Sequence, residues 1–456
     1  SSSTSRPRPS RNSSGSDPAG LATLDEVSAS LGARTGAPPE AASHHDPALT
    51  GIRAVAALLV VATHAAFATG YLNHGYLGNV YARLEIGVAL FFVLSGFLLF
   101  SPWVQAAADT TRRPSTRRYL RHRVRRIVPA YAVAVIVTFA VYTVFTPGPN
   151  PGQSWYGLLR YLTFTQIYTD SYLTTLLHPG LSQMWSMAVE VAFYAVLPLL
   201  AYLLLRGGWR PRRVLVGLAL LAAVTPAWVL LVTTTDLLPN SAGMWLPAHL
   251  AWFAGGMTLA VLRCLGVRCR AAVAIPLAFA LFLLVSTSLG GTLHGPDPVS
   301  APVVKAVGYA VIATLAVAPL ALGGRAPLAL GNRAPTAPAN RGGYARVLAS
   351  RPVVWLGEIS YEIFLLHSML MAVALHLVLD WPLFTGSMPG LIATTLVLTV
   401  PAAWLLHRFT APQRTRARNA GTSAASASPR WETASLSAGL SSAAVTAEPA
   451  GRNTGS

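Results

Sequence analysis

Residues 49–67, LTGIRAVAALLVVATHAAF, form an apolar run that carries two ionisable side chains, Arg53 and His64. Their eleven-residue spacing is almost three turns of an α-helix, so both side chains fall on one helix face. The rise between them is roughly 16 Å, about half the hydrocarbon thickness of a bilayer. Because ionisable groups at such a depth are costly and usually functional, this face is a candidate site.

The composition is that of an integral membrane protein. The chain has 456 residues, of which 53% are hydrophobic and only 11% are charged, whereas soluble domains carry about 25% charged residues. The net charge of +18 does not indicate a nucleic-acid partner, because the arginines lie between apolar runs, as juxtamembrane anchors do. Two cysteines, Cys264 and Cys269, are too few for a disulfide scaffold in so long a chain.

Apolar segments of membrane-spanning length predict an all-α fold, a polytopic integral membrane helical bundle of about ten transmembrane helices. The segments lie near residues 52–72, 85–105, 128–146, 184–205, 214–233, 247–263, 271–289, 302–323, 353–379 and 388–407. They define a membrane domain at 49–410. Residues 1–48 and 411–456 have the composition of disordered tails.

The distribution of arginine predicts the orientation in the membrane. Arginines concentrate in the loops 106–127, 206–213, 263–270 and 324–352, whereas the alternate loops hold only Arg83 and Arg160. By the positive-inside rule, the arginine-rich loops and both termini lie in the cytoplasm. We therefore expect a multi-pass protein of the plasma membrane.

His64 is the first candidate for chemistry. A neutral imidazole can take a proton from an attacking hydroxyl near neutral pH, although a histidine inside a bundle can equally bond a neighbouring helix. Arg53 alone would be interpreted as a topology anchor, and its alignment with His64 favours a functional role.

Further candidates occur in three other segments. Ser186 and Glu190 are four residues apart and share a face near Trp185. Glu190 could orient an imidazole or accept a hydrogen bond from a sugar hydroxyl, or it could be a protonated structural residue that bonds a neighbouring helix. Arg123 and Arg126 share a face at the mouth of the third span, where guanidinium groups could pair with phosphates or with anionic lipid. His367 lies two helical turns after Ser360, as a second site histidine or a packing residue.

Two observations limit the chemistry. Ser95 and Gly96 in the second span are predicted to serve small-residue helix packing. The chain has no phosphate-binding loop, dinucleotide fingerprint or HExxH zinc motif, so no metal site and no permanently bound cofactor are predicted.

With these motifs identified, the chain resembles the acyltransferase-3 family of integral membrane acyltransferases over about residues 48–410. The matching motifs, in the order of the family, are LTGIRAVAALLVVATH, GVALFFVLSGFLLF, RHRVRRIVPAY, MWSMAVEVAFYAVLP, FAGGM and LGEISYEIFLLH. The family often has acidic residues where this chain has Thr50, before Gly51, and Ala89, before the Phe pair. The sequence therefore does not identify the residue that orients the His64 ring.

The resemblance implies transfer of an acyl group, often acetyl, from cytoplasmic acyl-coenzyme A to a hydroxyl of a carbohydrate, lipid-linked glycan or glycosylated metabolite. It implies His64 as general base with Glu190 as a second catalytic residue. Coenzyme A would be bound by Arg53, Arg123 and Arg126. The implied substrate-binding residues are Trp185, Ser186, Tyr361 and His367.

The alternative interpretation is a transporter or flippase for a glycolipid or small metabolite. In such a protein the same histidines and carboxylates would relay protons. Binding of acyl-coenzyme A discriminates between the two, because a transporter of this kind needs no thioester donor.

Overall fold

The computed structural model describes residues 46–169, 177–292, 297–323 and 342–410, which all belong to one unit, Asp46–Ser456. The regular elements within these ranges are helices, as the composition predicts. The predicted tails lie outside the described residues, apart from 46–48, which open the first helix.

The α-helices follow one another along the chain, and short 3₁₀ helices lie in several of the connections between them. They are α1 (Pro47–Ala68), α2 (Gly75–Arg83), α3 (Gly87–Ala108), α4 (Thr116–Val144), α5 (Trp155–Leu162), α6 (Trp185–Leu205), α7 (Pro211–Thr234), α8 (Leu250–Cys264), α9 (Ala271–Val285), α10 (Ala301–Leu322), α11 (Gly343–Leu348), α12 (Arg351–Glu358), α13 (Ser360–Val373) and α14 (Met388–Thr410). A π-helical turn, Ala374–Val378, extends α13.

Eight helical stretches in the described part of the chain are long and apolar enough to cross a membrane. The two remaining predicted segments, 247–263 and 271–289, coincide with α8 and α9, which have 15 residues each. The prediction of a multi-pass helical bundle is therefore confirmed, and the predicted number of about ten spans is approximate.

Helix α1 lies inside the bundle, where it contacts α2, α3, α10, α12, α13 and α14. It begins at Pro47, where Asp46 caps the helix by accepting a hydrogen bond from the Ala48 amide at 3.0 Å. Because α1 touches so many neighbours, the polar residues along it can meet side chains from distant parts of the sequence.

Helices α3 and α8 cross at two glycines. A Cβ atom on Gly256 would stand 1.9 Å from the carbonyl oxygen of Val93, and one on Gly96 would stand 2.2 Å from the carbonyl oxygen of Phe253. Only a residue without a side chain permits this approach of the two backbones. The packing role predicted for Gly96 is confirmed.

Candidate active site

Two cavities contain predicted site residues: residues of α1 line the first, and residues at and before the start of α4 line the second. The first, of about 280 Å³, we call the histidine cavity; its lining residues include Thr63, His64, Glu85, Gln183, Trp185 and Lys305. The second, of about 630 Å³, we call the arginine cavity; it is lined by Arg112, Arg113, Pro114, Ser115, Arg118, Tyr119, His122 and Arg123. The two cavities differ in charge, because four arginines and one histidine line the second.

His64 lines the histidine cavity and has one ring nitrogen that can act as a base. Its Nδ1 atom lies 2.8 Å from the carbonyl oxygen of Val60. Because a carbonyl oxygen only accepts hydrogen bonds, Nδ1 carries the proton and Nε2 keeps its lone pair. No group in the described ranges makes a hydrogen bond with Nε2 of His64. The geometry therefore leaves this nitrogen free to accept a proton.

His367 stands directly behind His64. Its Nδ1 atom lies 2.8 Å from the carbonyl oxygen of Phe364, so this nitrogen also carries the proton. Its unprotonated Nε2 lies 3.3 Å from Nδ1 of His64 and accepts part of that hydrogen bond. The structure thus brings together two candidate residues that the sequence places on different helices, α1 and α13.

Glu190 belongs to a different cluster, centred on Arg53. Its Oε1 atom accepts hydrogen bonds from the hydroxyl groups of Ser95 and Tyr194. Arg53 lies within electrostatic range of Glu190 and of Glu362. Ser95, predicted mainly for helix packing, therefore also has a polar contact, because its hydroxyl donates to this carboxylate. Glu190 shares no contact with His64 among those described, and it does not orient the imidazole.

Three arginines predicted to bind coenzyme A lie toward the arginine-rich end of the bundle. Arg53 is within electrostatic range of Arg126, which is exposed. Arg123 lines the arginine cavity, and its buried Nε atom has no hydrogen-bond partner in the described structure. An anion in the arginine cavity would supply the missing acceptor of Arg123 and a countercharge for the guanidinium groups that line this cavity.

Of the predicted substrate-binding residues, Trp185 lines the histidine cavity, whereas Ser186 and Tyr361 donate hydrogen bonds to backbone carbonyls elsewhere. Trp185 lines the histidine cavity together with His64. Ser186 is buried, and its hydroxyl donates to the carbonyl oxygen of Gln183 at 3.1 Å, so it does not line that cavity. The Tyr361 hydroxyl donates to the carbonyl oxygen of Ile127 at 3.0 Å and thereby ties α13 to α4.

Sequence reasoning missed an ion pair in the wall of the histidine cavity. Lys305 Nζ donates to Oε1 of Glu85 at 3.0 Å, and the Tyr309 hydroxyl donates to the same oxygen at 3.1 Å. Glu85 also lies within electrostatic range of His64. The available signal was Lys305 itself, the single lysine of the chain, which stands within an apolar segment where charge is costly.

Arg83 also differs from its expected place in an outer loop. Its side chain is buried, and Nη2 donates to the carbonyl oxygens of Gly290 and Gly291 at 2.7 Å each. In the described ranges, no group of three or more His, Cys, Asp and Glu side chains could hold a metal ion.

The described residues thus form the helical bundle of a multi-pass membrane protein, in which His64 lines one cavity and arginines line another. The chain belongs to the acyltransferase-3 family, whose model, described as an acyltransferase domain, matches residues 46–408. The protein is accordingly an acyltransferase.

Individual relatives are similar over different lengths. The acyltransferase MdmB of Streptomyces mycarofaciens is 29% identical over 376 residues, which are 79% of this chain and 89% of that protein. The peptidoglycan O-acetyltransferase OatA of Listeria monocytogenes is 28% identical over 205 residues, 42% of this chain and 30% of that protein. The O-acetyltransferase OatA of Staphylococcus aureus is 25% identical over 39% of this chain and 28% of that protein. No solved structure matches the chain.

Proposed function

We propose that the protein transfers an acyl group, in the simplest case acetyl, from acyl-coenzyme A to a hydroxyl group of a carbohydrate, lipid-linked glycan or glycosylated metabolite. It acts in the plasma membrane with the arginine cavity and both termini toward the cytoplasm. The observation that carries this proposal is the free Nε2 of His64, a residue that lines one cavity, in a chain with a second, arginine-lined cavity at the start of α4.

The arginine cavity is the docking site for the donor. Coenzyme A carries several phosphate groups, and guanidinium groups pair with phosphate in a bidentate way. Arg123 offers an Nε–H that lacks an acceptor. Arg126 and Arg53, which lie within electrostatic range of each other, provide further positive charge toward α1. The thioester end of the donor would then extend along α1 toward His64.

The acceptor hydroxyl meets His64 in the histidine cavity. Nε2 of His64 takes the hydroxyl proton while the oxygen attacks the thioester carbonyl, forming a C–O bond. The C–S bond then breaks, and the imidazolium returns its proton to the coenzyme A sulfur. The products are an ester and a free thiol, so atoms and charge balance.

Glu190 and His367 support the two charged groups of this reaction. Glu190 is the carboxylate with the strongest electrostatic interaction with Arg53, and its negative charge stabilises the charged guanidinium inside the membrane domain. His367 accepts the Nδ1–H of His64 and stabilises the imidazolium that forms during transfer. The names of the relatives support a sugar hydroxyl as acceptor, because two of them are O-acetyltransferases and one is named for peptidoglycan.

The test uses the full chain in lipid nanodiscs. Binding of coenzyme A is measured by calorimetry, and transfer is measured with radiolabelled acetyl-coenzyme A and a set of glycosides. We expect His64→Ala to bind coenzyme A normally while transfer falls by about 10²–10⁴-fold. His376→Ala, a histidine of the π-helical turn outside both cavities, is the matched control. Absence of coenzyme A binding in the folded protein would refute the donor assignment and favour a transporter.

A further inference from the structure

We propose that Glu85 and Lys305 recognise the acceptor by binding two neighbouring hydroxyl groups of a pyranose ring, while a third hydroxyl of the same sugar faces His64. The inference rests on the proposed function, because it assigns the chemical class of acceptor to the same cavity. It also gives roles to two residues that the motifs of the chain do not include.

The ion pair is built as an open site. Its Nζ and Oε1 atoms are 3.0 Å apart, yet the side chains of Lys305 and Glu85 remain 38% and 41% exposed. Both line the histidine cavity with His64. Arg83, which lines the same cavity, differs from the pair, because it is buried and donates from Nη2 to the backbone carbonyls of Gly290 and Gly291.

The unused hydrogen-bonding capacity of the pair matches a diol. Oε1 of Glu85 already accepts from Lys305 and Tyr309, whereas no described group bonds Oε2. The ammonium group of Lys305 has three protons, and one of them is given to Glu85. A free acceptor and free donors therefore stand side by side, which suits two adjacent hydroxyl groups, one donating and one accepting.

Shape and hydrogen bonding favour a sugar as the ligand. The ion pair itself carries no net charge and offers charge-assisted hydrogen bonds, while Arg83, the other cation of the cavity lining, gives its hydrogen bonds to backbone carbonyls. Trp185 contributes an aromatic surface to the same cavity, which suits the apolar C–H face of a pyranose. A few convergent polar groups beside an aromatic ring are the usual lining of a small-molecule site.

The test combines residue changes with hydroxyl deletions in the acceptor. The probes are phenyl β-D-glucopyranoside and its 2-, 3- and 4-deoxy analogues, with acetyl-coenzyme A as donor and the full chain in nanodiscs. For the wild type we expect deletion of a recognised hydroxyl to lower kcat/KM by about 10–100-fold, the range for hydrogen bonds to charged groups. In Glu85→Gln and Lys305→Met, which have already lost the hydrogen bond, deletion of the same hydroxyl should lower kcat/KM only slightly further. The KM for acetyl-coenzyme A should not change in either variant.

The control and the contrary outcomes are distinct. Thr143→Val removes an exposed hydroxyl of α4 that lies outside the cavity, and it should keep the discrimination of the wild type. If both ion-pair variants also discriminate between glucoside and deoxyglucoside as the wild type does, the pair is structural and the inference is wrong. If the protein binds coenzyme A but acetylates none of the glycosides, the pyranose assignment fails while the donor site stands. Loss of coenzyme A binding in every protein would instead overturn the proposed function.

Discussion

Nε2 of His367 lies 3.3 Å from Nδ1 of His64, with the Phe364 carbonyl fixing the proton of His367 on its other nitrogen. His367 is thus a hydrogen-bond acceptor for His64. This arrangement holds the His64 ring with Nε2 directed away from His367, and it places a second imidazole where positive charge develops when His64 is protonated.

Replacement of His367 should therefore weaken catalysis without weakening donor binding. We expect His367→Ala to lower kcat by about 10–100-fold, because a second group that orients a catalytic histidine typically contributes this much. His367→Gln, whose amide oxygen can accept the same hydrogen bond, should recover part of the activity. Equal loss in both variants, or an equal loss of coenzyme A affinity, would contradict a positioning role.

Arg123 should contribute to the affinity for the donor. Its buried Nε–H has no acceptor in the described structure and lines the arginine cavity. Arg123→Ala should raise the Kd for coenzyme A by about 10-fold or more, since a charge-assisted hydrogen bond contributes about 1.5–3 kcal/mol. Calorimetry at two salt concentrations measures the effect.

The matched control for Arg123 is Arg117, an exposed arginine of the same helix that does not line the cavity. Arg117→Ala should leave the Kd within about 2-fold, because an exposed charge is screened by salt. Similar losses for both arginines would show that general positive charge, and not the cavity, determines binding.

Gly256 should be essential for stability. A methyl group there would meet the Val93 carbonyl oxygen at 1.9 Å, so α3 and α8 must separate. We expect Gly256→Ala to destabilise the protein by about 1–3 kcal/mol, the usual cost of overpacking. Gly243→Ala, where a Cβ meets nothing within 4 Å, is the control and should leave the thermal midpoint unchanged.

His178 should make the protein less stable in acid. Burial lowers the pKa of His178 from its usual 6.5 to about 4. Its Nδ1 accepts a hydrogen bond from the Gly180 amide at 3.1 Å, which protonation would break. The folded state therefore binds the proton less well than the unfolded state does, and stability falls as the pH drops from 6.5 toward 4.

The size of the stability loss follows from the difference between the pKa of His178 in the folded and unfolded states. Between pH 6.5 and 5 the loss should be about 1.6 kcal/mol, because the slope approaches about 1.4 kcal/mol for each pH unit only below pH 6.5, where the unfolded-state histidine is fully protonated. Thermal denaturation of the wild type and of His178→Gln checks this, because the variant lacks the titrating group and should show a flatter profile in that range. Parallel profiles would assign the acid sensitivity to other groups.

The sequence was sufficient for the membrane-spanning organisation and for the family. Length and apolarity of a segment are local properties, so the predicted segments coincide with helical parts of the bundle, although the structure divides the segment 353–379 into α12, α13 and the π-helical turn. The prediction was less successful for α8 and α9, whose 15 residues are shorter than the predicted segments. The helical spacing within α1 likewise placed Arg53 and His64 correctly on one element.

The partners of these residues could not be predicted in the same way. The His64–His367 contact joins residues 303 positions apart, and the Glu85–Lys305 pair joins residues 220 positions apart. Sequence periodicity shows which face of a helix a side chain occupies, but not which helix packs against that face. Ser95 illustrates the limit, because its small size predicts packing and only the position of Glu190 reveals its hydrogen bond.

The sequence by itself thus determined a multi-pass helical bundle, the acyltransferase motifs and the residues that carry polar chemistry inside apolar segments. Only the tertiary structure separated these residues into a histidine cavity and an arginine-lined end, and only it added Glu85 and Lys305 to the first. The physical reason is that hydrophobic periodicity acts within one helix, whereas a cavity is formed by side chains from several helices whose packing depends on the whole chain.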